Sequence, residues 1–320
     1  MMGTGDFAVP TFRALYDAPH RVVALVTQPE RPARGRQPPP VNRIKEIALG
    51  HHTPVLQPEN VNSPESLAAL RGLNADLFVI AAYGQILSAE LLAIPPRGAI
   101  NVHASLLPRY RGASPVAYAI LQGEQETGVS IIGVEPRLDA GPIFGMVRTP
   151  IGPQETAGDL EDRLAQLGAP LTVQVIEAIA AGSATGLPQD SRQTTRAPKL
   201  KKEMGEIDWA RPAVAIDCHV RGMQPWPGAF THAHFSNRPP LRVLLSAVLP
   251  RDAATPPNCP PGQVVWSDQT LIVNTGGGVL EIARIQPEGK RVMSAAEFLR
   301  GYPLRAGDHF GPALAASHPA

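Results

Sequence analysis

Cysteine is nearly absent: Cys218 and Cys259 are the only two in 320 residues. They leave no disulfide framework and no metal-ligand spacing, and the expectation is two reduced thiols in a cytoplasmic protein. Charge of one sign is lacking too. A formal net charge of +1 excludes a protein that captures nucleic acid through its overall field, so any RNA contact has to come from a local cluster. No stretch reaches the ~20 apolar residues that a membrane span needs, and no basic-then-apolar leader opens the chain. Together these absences predict a soluble cytoplasmic protein. Aromatics are few at 5%, whereas 35 prolines and 29 glycines point to many turns and at least one extended linker.

The first half alternates strand-like and helix-like segments. Arg21–Thr27, Leu77–Ala82, Ile100–Val102 and Val129–Val134 are short, nearly continuous apolar runs, the pattern of strands buried on both faces. Between them lie helical stretches at Phe12–Tyr16 and Ser63–Arg71, and Ser114-Pro115 is suited to open another as N-cap and first helical residue. A longer helix is predicted from Thr156, with Leu160, Leu164, Leu167, Leu171 and Val175 on one face. This alternation predicts an α/β fold with a doubly wound, mostly parallel sheet. After Gly182 the composition turns polar and basic. Beyond Ile207 come short strands (Leu241–Val248, Gly262–Trp266, Leu271–Asn274, Val279–Ile285), as in a small β-barrel. The expected division is a catalytic domain over 1–183, a basic linker over 184–204, an OB-like barrel over 205–310 and a tail over 311–320.

The chemistry-bearing stretch runs from Gly98 to Gly145. Asn101 and His103 stand two apart at the end of a predicted strand, so both project to one side. A loop, Ser105-Leu106-Leu107-Pro108-Arg109-Tyr110-Arg111-Gly112, follows, and Asp139-Ala140-Gly141 comes after the next strand. Taken singly each part is ordinary: a histidine at a strand end is usually structural, and Asp before Gly usually makes a turn.

As a set, Asn101-x-His103, Ser105-Leu106-Leu107-Pro108 and Asp139-x-Gly141 closely resemble the signature of the folate-dependent formyltransferases. The branch of that family acting on an aminoacylated tRNA is similar to this chain along nearly its whole length. The likeness lies in Gly3–Pro10, Gln28–Pro32, Ala82–Leu87, Ala197–Leu200, Ile207–Trp209, Pro225–Ala229 and above all Gln286–Ala295. The chain departs from the family in Gly5, where proline is common, in Arg137, and in showing no strand before its opening glycine-rich turn. That last departure leads to the expectation that the native chain starts several residues upstream, the first Met being internal.

The resemblance implies a Rossmann-like catalytic domain followed by an OB-like domain. It also implies formyl transfer from 10-formyltetrahydrofolate to the methionyl amino group of initiator tRNA. Such an enzyme is expected as a monomer without an obligate protein partner, metal or redox cofactor. Ser105, Leu106, Leu107 and Pro108, with Tyr83, Gly84 and Ile86, would shape the folate pocket. RNA contacts would fall to Arg31, Arg34 and Arg36 in a proline-rich loop and to Lys199, Lys201 and Lys202. In acyl transfer of this kind the amide of Asn101 suits the developing oxyanion, with His103 as a second polarising donor. Asp139 suits the proton-accepting role, directly, through water or through His103.

Three rivals share parts of this pattern. A nucleotide-sugar or glycinamide ribonucleotide formyltransferase keeps the chemistry and changes the amine, and the tRNA substrate is favoured over it by the second domain and Gln286–Ala295. A hydrolase releasing formate needs no amine site. A catalytically inert RNA-binding module would be expected to lack one of Asn101, His103 and Asp139, and all three are present.

Overall fold

Short apolar runs become short strands when helices cover both faces of a parallel sheet, and the first half of the chain follows that rule. The computed structural model describes residues 1–30, 41–253, 258–266, 269–305 and 307–313. Two units are distinguished. The first comprises Met1–Pro115, Glu126–Pro150 and Asp159–Pro198; the second comprises Val116–Gln125, Ile151–Gly158 and Lys199–Ala320.

In chain order the first part reads β1 (Met2–Gly3), α1 (Ala8–Asp17), β2 (Leu25–Val26), α2 (Arg43–Gly50), β3 (Val55–Leu56), α3 (Pro64–Gly72), β4 (Phe78–Ala81), α4 (Ala89–Leu92) and β5 (Ala99–His103). Next come α5 (Pro115–Leu121), β6 (Glu126–Gly133), β7 (Ile143–Pro150) and α6 (Ala157–Ala180). The sheet of the first unit has the order β3-β2-β1-β4-β5-β6-β7. Its first five strands are mutually parallel, and β6 and β7 each run antiparallel to the neighbour before them. This is the doubly wound, mostly parallel sheet that alternation predicted. Contrary to expectation, a strand does precede the glycine-rich turn: Met2 pairs with both β2 and β4, and Gly3 with β4. At two residues it is too short for any periodicity to show. Gly3 is needed there because a Cβ would stand 2.9 Å from the Ala8 Cβ and 3.0 Å from the Ala81 carbonyl oxygen.

Local chemistry sets several helix ends. The Ser63 hydroxyl accepts from the Ser66 amide, with Pro64 in the first turn, and the Asn42 side chain accepts from the Lys45 amide. Leu160 and Leu164 on α6 are fully buried. A Cβ on Gly168 would lie 3.1 Å from side-chain carbons of both Val102 and Val129, so α6 sits close on β5 and β6. That packing holds β5 from one face and leaves the other for Asn101 and His103.

The second unit adds α7 (Ala213–Gly222), β8 (Ala229–Phe235), β9 (Arg238–Arg251), β10 (Val264–Trp266), β11 (Leu271–Asn274), β12 (Val279–Pro287), β13 (Met293–Ser294), α8 (Ala295–Gly301) and β14 (His309–Gly311). Its strands follow the order β10-β11-β12-β9-β8-β14, with β13 beside β12. The ends nearly meet: the Val264 amide donates to the Asp308 carbonyl (3.0 Å) and the Phe310 amide to the Gly262 carbonyl (2.7 Å). The result is the nearly closed antiparallel barrel expected from the strand spacing. β8 escaped the sequence reading because its histidines break up an apolar run. Its burial alternates from Ala229 to Ala233, with Ala229, Thr231 and Ala233 buried, and breaks at the register shift beyond, where His234 and Phe235 are buried as well. Thr231 is satisfied there, accepting from the Trp209 indole (3.0 Å) and donating to the Gly311 carbonyl (3.0 Å).

The stretch 184–204, expected as a linker, is laced to the first unit as far as Pro198. Ile143 and Leu187 exchange backbone hydrogen bonds of 2.8 and 2.9 Å, the Arg111 amide donates to the Thr195 carbonyl (3.0 Å), and the Ala197 amide donates to the Arg111 carbonyl (2.8 Å). Polar, proline-punctuated chain suits an extended edge as well as a free tether, and composition alone does not separate the two. Because Leu164 is fully buried, Leu164→Ala should cost about 2–5 kcal/mol of stability. Urea unfolding followed by circular dichroism measures this, and a loss below ~1 kcal/mol would mean that α6 is not anchored at that residue.

Candidate active site

Successive residues of a strand face opposite sides. On β5 this sends Ile100 and Val102 into the core and puts Asn101 and His103 together on the other face, where Asn101 is half-buried and His103 is 5% exposed. His103 is the last residue of the strand, at the carboxyl end where open α/β sheets hold their ligands. The Asn101 side-chain amide makes no hydrogen bond among the described residues. A cavity of about 700 Å³ lies instead at the amino ends of β2 and β4, lined by Ala24, Asp76 and Phe78 among others, and none of Asn101, His103 and Asp139 borders it.

The imidazole is held from both sides. Its Nε2 lies 3.0 Å from the Tyr110 carbonyl. A carbonyl only accepts, so Nε2 carries the proton and the neutral ring keeps its lone pair on Nδ1. Nδ1 is 3.7 Å from Oδ2 of Asp139. Burial pulls the His103 pKa below its ordinary 6.5; the Asp139 carboxylate and the Tyr110 carbonyl oppose the fall, and the Arg111 guanidinium adds to it. The ring is therefore neutral near pH 7.

Asp139 is brought to this position by backbone that few side chains tolerate. Its φ is +48°, in the left-handed region that Asp visits more readily than most residues. Oδ2 accepts from the Gly112 amide at 2.8 Å. Neighbouring glycines are sterically required. A Cβ on Gly141 would fall 1.9 Å from the Gly133 carbonyl oxygen, and one on Gly112, at φ +128°, would fall 2.4 Å from that of Ala197. Asn101, His103 and Asp139, far apart in sequence, are thus gathered at one strand end.

The expected folate-loop residues divide. Ser105 is buried, donates to the Arg109 carbonyl (2.7 Å) and accepts at its own carbonyl from Ser130 (2.7 Å), so its hydroxyl shapes the loop and is not offered to a ligand. Leu107 is core, 3% exposed, while Leu106 and Pro108 are half-buried. Tyr83 corrects the expectation in the same way: its ring lies in the apolar cluster with Met2, Val26 and Leu91. Its carbonyl accepts from Thr4 (3.2 Å) and Gln28 (3.1 Å), which ties together the loops after β1, β2 and β4. Gly84, at φ +85°, turns the loop after β4, and Ile86 at 87% exposure is its open apolar side chain. Lys199, Lys201 and Lys202 are exposed, whereas Arg31, Arg34 and Arg36 lie outside the described residues.

Sequence reasoning missed Tyr110, Arg111 and Gln189. Arg111 donates through Nε (3.1 Å) and Nη2 (2.6 Å) to Oε1 of Gln189, and Gln189 Nε2 donates to the carbonyls of Asp139 (2.9 Å) and Gly141 (2.8 Å). Gln189 stands 50 residues from Asp139 in a stretch whose composition marks only a linker, so no local signal announced it. Among the described residues no group of three or more His, Cys, Asp or Glu side chains could hold a metal, and no helix is long and apolar enough to cross a membrane.

The Rossmann-like sheet carries an amide, an imidazole and a carboxylate at one strand end and is followed in the chain by an antiparallel barrel. The formyl transferase profile matches residues 1–176 and that of the formyl transferase C-terminal domain matches 199–303. The chain belongs to the formyl transferase family. Among its relatives is the methionyl-tRNA formyltransferase of Citrifermentans bemidjiense, 46% identical over 314 residues that cover 97% of this chain and 95% of that one. The methionyl-tRNA formyltransferase of Methylococcus capsulatus is 44% identical over 310 residues, covering 97% and 98%. Of solved structures, the sugar 3N-formyl transferase WlaRD, in the presence of dTDP and 5-N-formyl-THF, shares the fold with TM-score 0.65 at 16% identity, covering 91% of this chain and 97% of that one. HypX from Aquifex aeolicus in complex with tetrahydrofolic acid gives TM-score 0.55 at 17% identity, covering 79% and 43%.

The electrostatics of the pair are open to test without any substrate. Proton NMR of the His103 ring should give a midpoint below 6.5, and Asp139→Asn should lower it further by removing the negative charge that holds it up. A midpoint that rises in Asp139→Asn would mean that the carboxylate does not act on the ring.

Proposed function

We propose that the chain transfers the formyl group of 10-formyltetrahydrofolate to the amino group of methionyl initiator tRNA. The observation that carries this reading is the site itself. An unengaged Asn101 amide stands on the same strand face as a buried neutral imidazole, whose Nδ1 is 3.7 Å from a carboxylate. Family membership and relatives of matching length named for this reaction support it.

Attack of an amine on a formyl carbon places negative charge on the formyl oxygen and positive charge on nitrogen. The Asn101 amide is the donor for the oxygen, and a donor preorganised for a developing oxyanion is worth ~10²–10³ in rate. An α-amino group, with a pKa near ~7.7–8.0, is partly neutral at working pH. What it needs is a group that takes its proton once nitrogen becomes cationic. His103 has its Nε2–H committed to the Tyr110 carbonyl, so its role moves from second donor to proton acceptor at Nδ1, and Asp139 stabilises the imidazolium that results. The proton then passes to the folate nitrogen as the carbon–nitrogen bond to the donor breaks, which leaves His103 neutral again. No Ser or Cys is needed as a nucleophile, in keeping with the inward-turned Ser105 hydroxyl.

For the donor, the backbone at Gly84, the exposed Ile86 and the half-buried Leu106 and Pro108 suit a flat ring that needs an apolar slot and main-chain hydrogen bonds. The exposed Lys199, Lys201 and Lys202 suit tRNA phosphates.

Purified protein with 10-formyltetrahydrofolate should formylate methionyl initiator tRNA and leave elongator methionyl-tRNA unmodified. Transfer to neither, with folate bound, would overturn the reading in favour of another amine or formate release. Asn101→Ala should reduce kcat by roughly 10²–10³ with folate affinity nearly unchanged; near-normal turnover would remove Asn101 from the mechanism. Replacing Lys201 and Lys202 by Gln should raise the half-saturating tRNA concentration. It should also flatten the log–log salt dependence by roughly 0.7–0.9 for each phosphate no longer neutralised, and an unchanged slope would return these lysines to the solvent.

A further inference from the structure

Three consecutive residues touch every part of the proton-accepting pair. The Tyr110 carbonyl accepts from His103 Nε2 (3.0 Å), the Gly112 amide donates to Asp139 Oδ2 (2.8 Å), and between them Arg111 donates twice to Gln189. Gln189 closes the loop, because its Nε2 reaches the carbonyls of both Asp139 and Gly141. Its amide is fully used: both N–H groups donate and the oxygen accepts from two guanidinium nitrogens. The residue it grips, Asp139, has its backbone in the left-handed region, a conformation that persists only where its surroundings over-determine it. Arg111 is buried and Gln189 half-buried, so the bracket is partly shielded from water.

We propose that Gln189 is a positioning residue for the reaction: bound to Arg111 on one side and to the Asp139 and Gly141 carbonyls on the other, it sets how the Asp139 carboxylate faces the His103 imidazole. The assignment of a proton-accepting pair rests on the formyl-transfer reading above, whereas the bracket itself rests on geometry alone. Two consequences follow. Loss of the bracket acts on kcat and not on substrate binding, because Gln189 touches the turn carrying Asp139 and none of the groups offered to substrate. It also frees Arg111 and Asp139, the two charged groups acting on His103, to move relative to the ring. The charged groups facing that ring are Asp139 from the loop after β6 and Arg111 from the loop after β5, and Arg137 acts in turn on Arg111. Nearest in the register of the neighbouring strand is the neutral Ser130.

Gln189→Glu is the discriminating variant. It keeps the shape and the acceptor for Arg111, replaces the donor to the two carbonyls with an oxygen, and sets a negative charge against the guanidinium that depresses the His103 pKa. It should lower kcat about tenfold to a hundredfold with KM for both substrates within about threefold. The His103 NMR midpoint, and with it the acid limb of kcat, should move to higher pH. Gln189→Leu should lower kcat similarly, and Gln189→His, which keeps one ring N–H as donor and one nitrogen as acceptor, should recover part of it. A loss of thermal stability in Gln189→Glu with kcat and the His103 midpoint both unchanged would overturn the proposal, since that is the signature of a purely structural contact. The NMR midpoint needs no substrate. If the wild-type protein formylated no tRNA, the formyl-transfer reading would fail, and the midpoint in Gln189→Glu would still decide whether the bracket acts on the pair.

Discussion

The hydrogen bond from His103 Nε2 to the Tyr110 carbonyl and the one from the Gly112 amide to the Asp139 carboxylate leave a single short stretch of backbone. Two planar peptide units joined at the Arg111 Cα separate their anchoring atoms, so a short, stiff stretch of backbone ties the imidazole to the carboxylate. This is the constraint on which the rest of the site depends. Glycine is required on both sides of it, at Gly112 and Gly141, where a Cβ would fall 2.4 and 1.9 Å from a carbonyl oxygen. The constraint also fixes the tautomer of His103, and with it which ring nitrogen is left to take a proton.

Burial and Coulomb attraction work against each other at His103. Desolvation favours the neutral ring, while the neighbouring carboxylate favours the cation, and desolvation prevails. A ring kept neutral by burial yet facing a carboxylate is ready to be protonated during a reaction without being protonated beforehand. In the proposed reaction Asn101, on the same strand face, would bring a donor to the place where that proton transfer has its counter-charge. The sheet supplies the rigidity: β5 is held between β4 and β6 in register, with α6 close on its other face.

In the first unit β2, β4, β5 and β6 read from short apolar runs, whereas β1 and β7 did not; in the second unit legibility also varied from strand to strand. Leu271–Asn274 was legible to the residue because three consecutive apolar residues, Leu271, Ile272 and Val273, stand before Asn274 and the Thr-Gly turn that follows it. Ala229–Phe235 was not, because Phe230, His232 and the buried His234 interrupt the small and apolar residues between them. β7 was hidden for a related reason, carrying Gly145, Arg148 and Thr149 on a half-exposed strand.

Sequence by itself determined what depends on near neighbours: the helix opening at Pro115 after Ser114, the apolar stripe of α6, and the shared face of Asn101 and His103, which follows from a spacing of two on a strand. It also carried the family resemblance, because the motif residues lie in unbroken blocks. Only the tertiary structure decided which polar groups are spent on the protein itself. Ser105 and Tyr83 look available in the sequence and are turned inward, while Tyr110 and Gln189 look ordinary and become partners of the site from 7 and 50 residues away. A hydrogen-bonding group offers the same donor or acceptor wherever it stands. Its use is settled by what the folded chain brings to within about 3 Å of it, and for contacts between distant segments no local pattern records that choice.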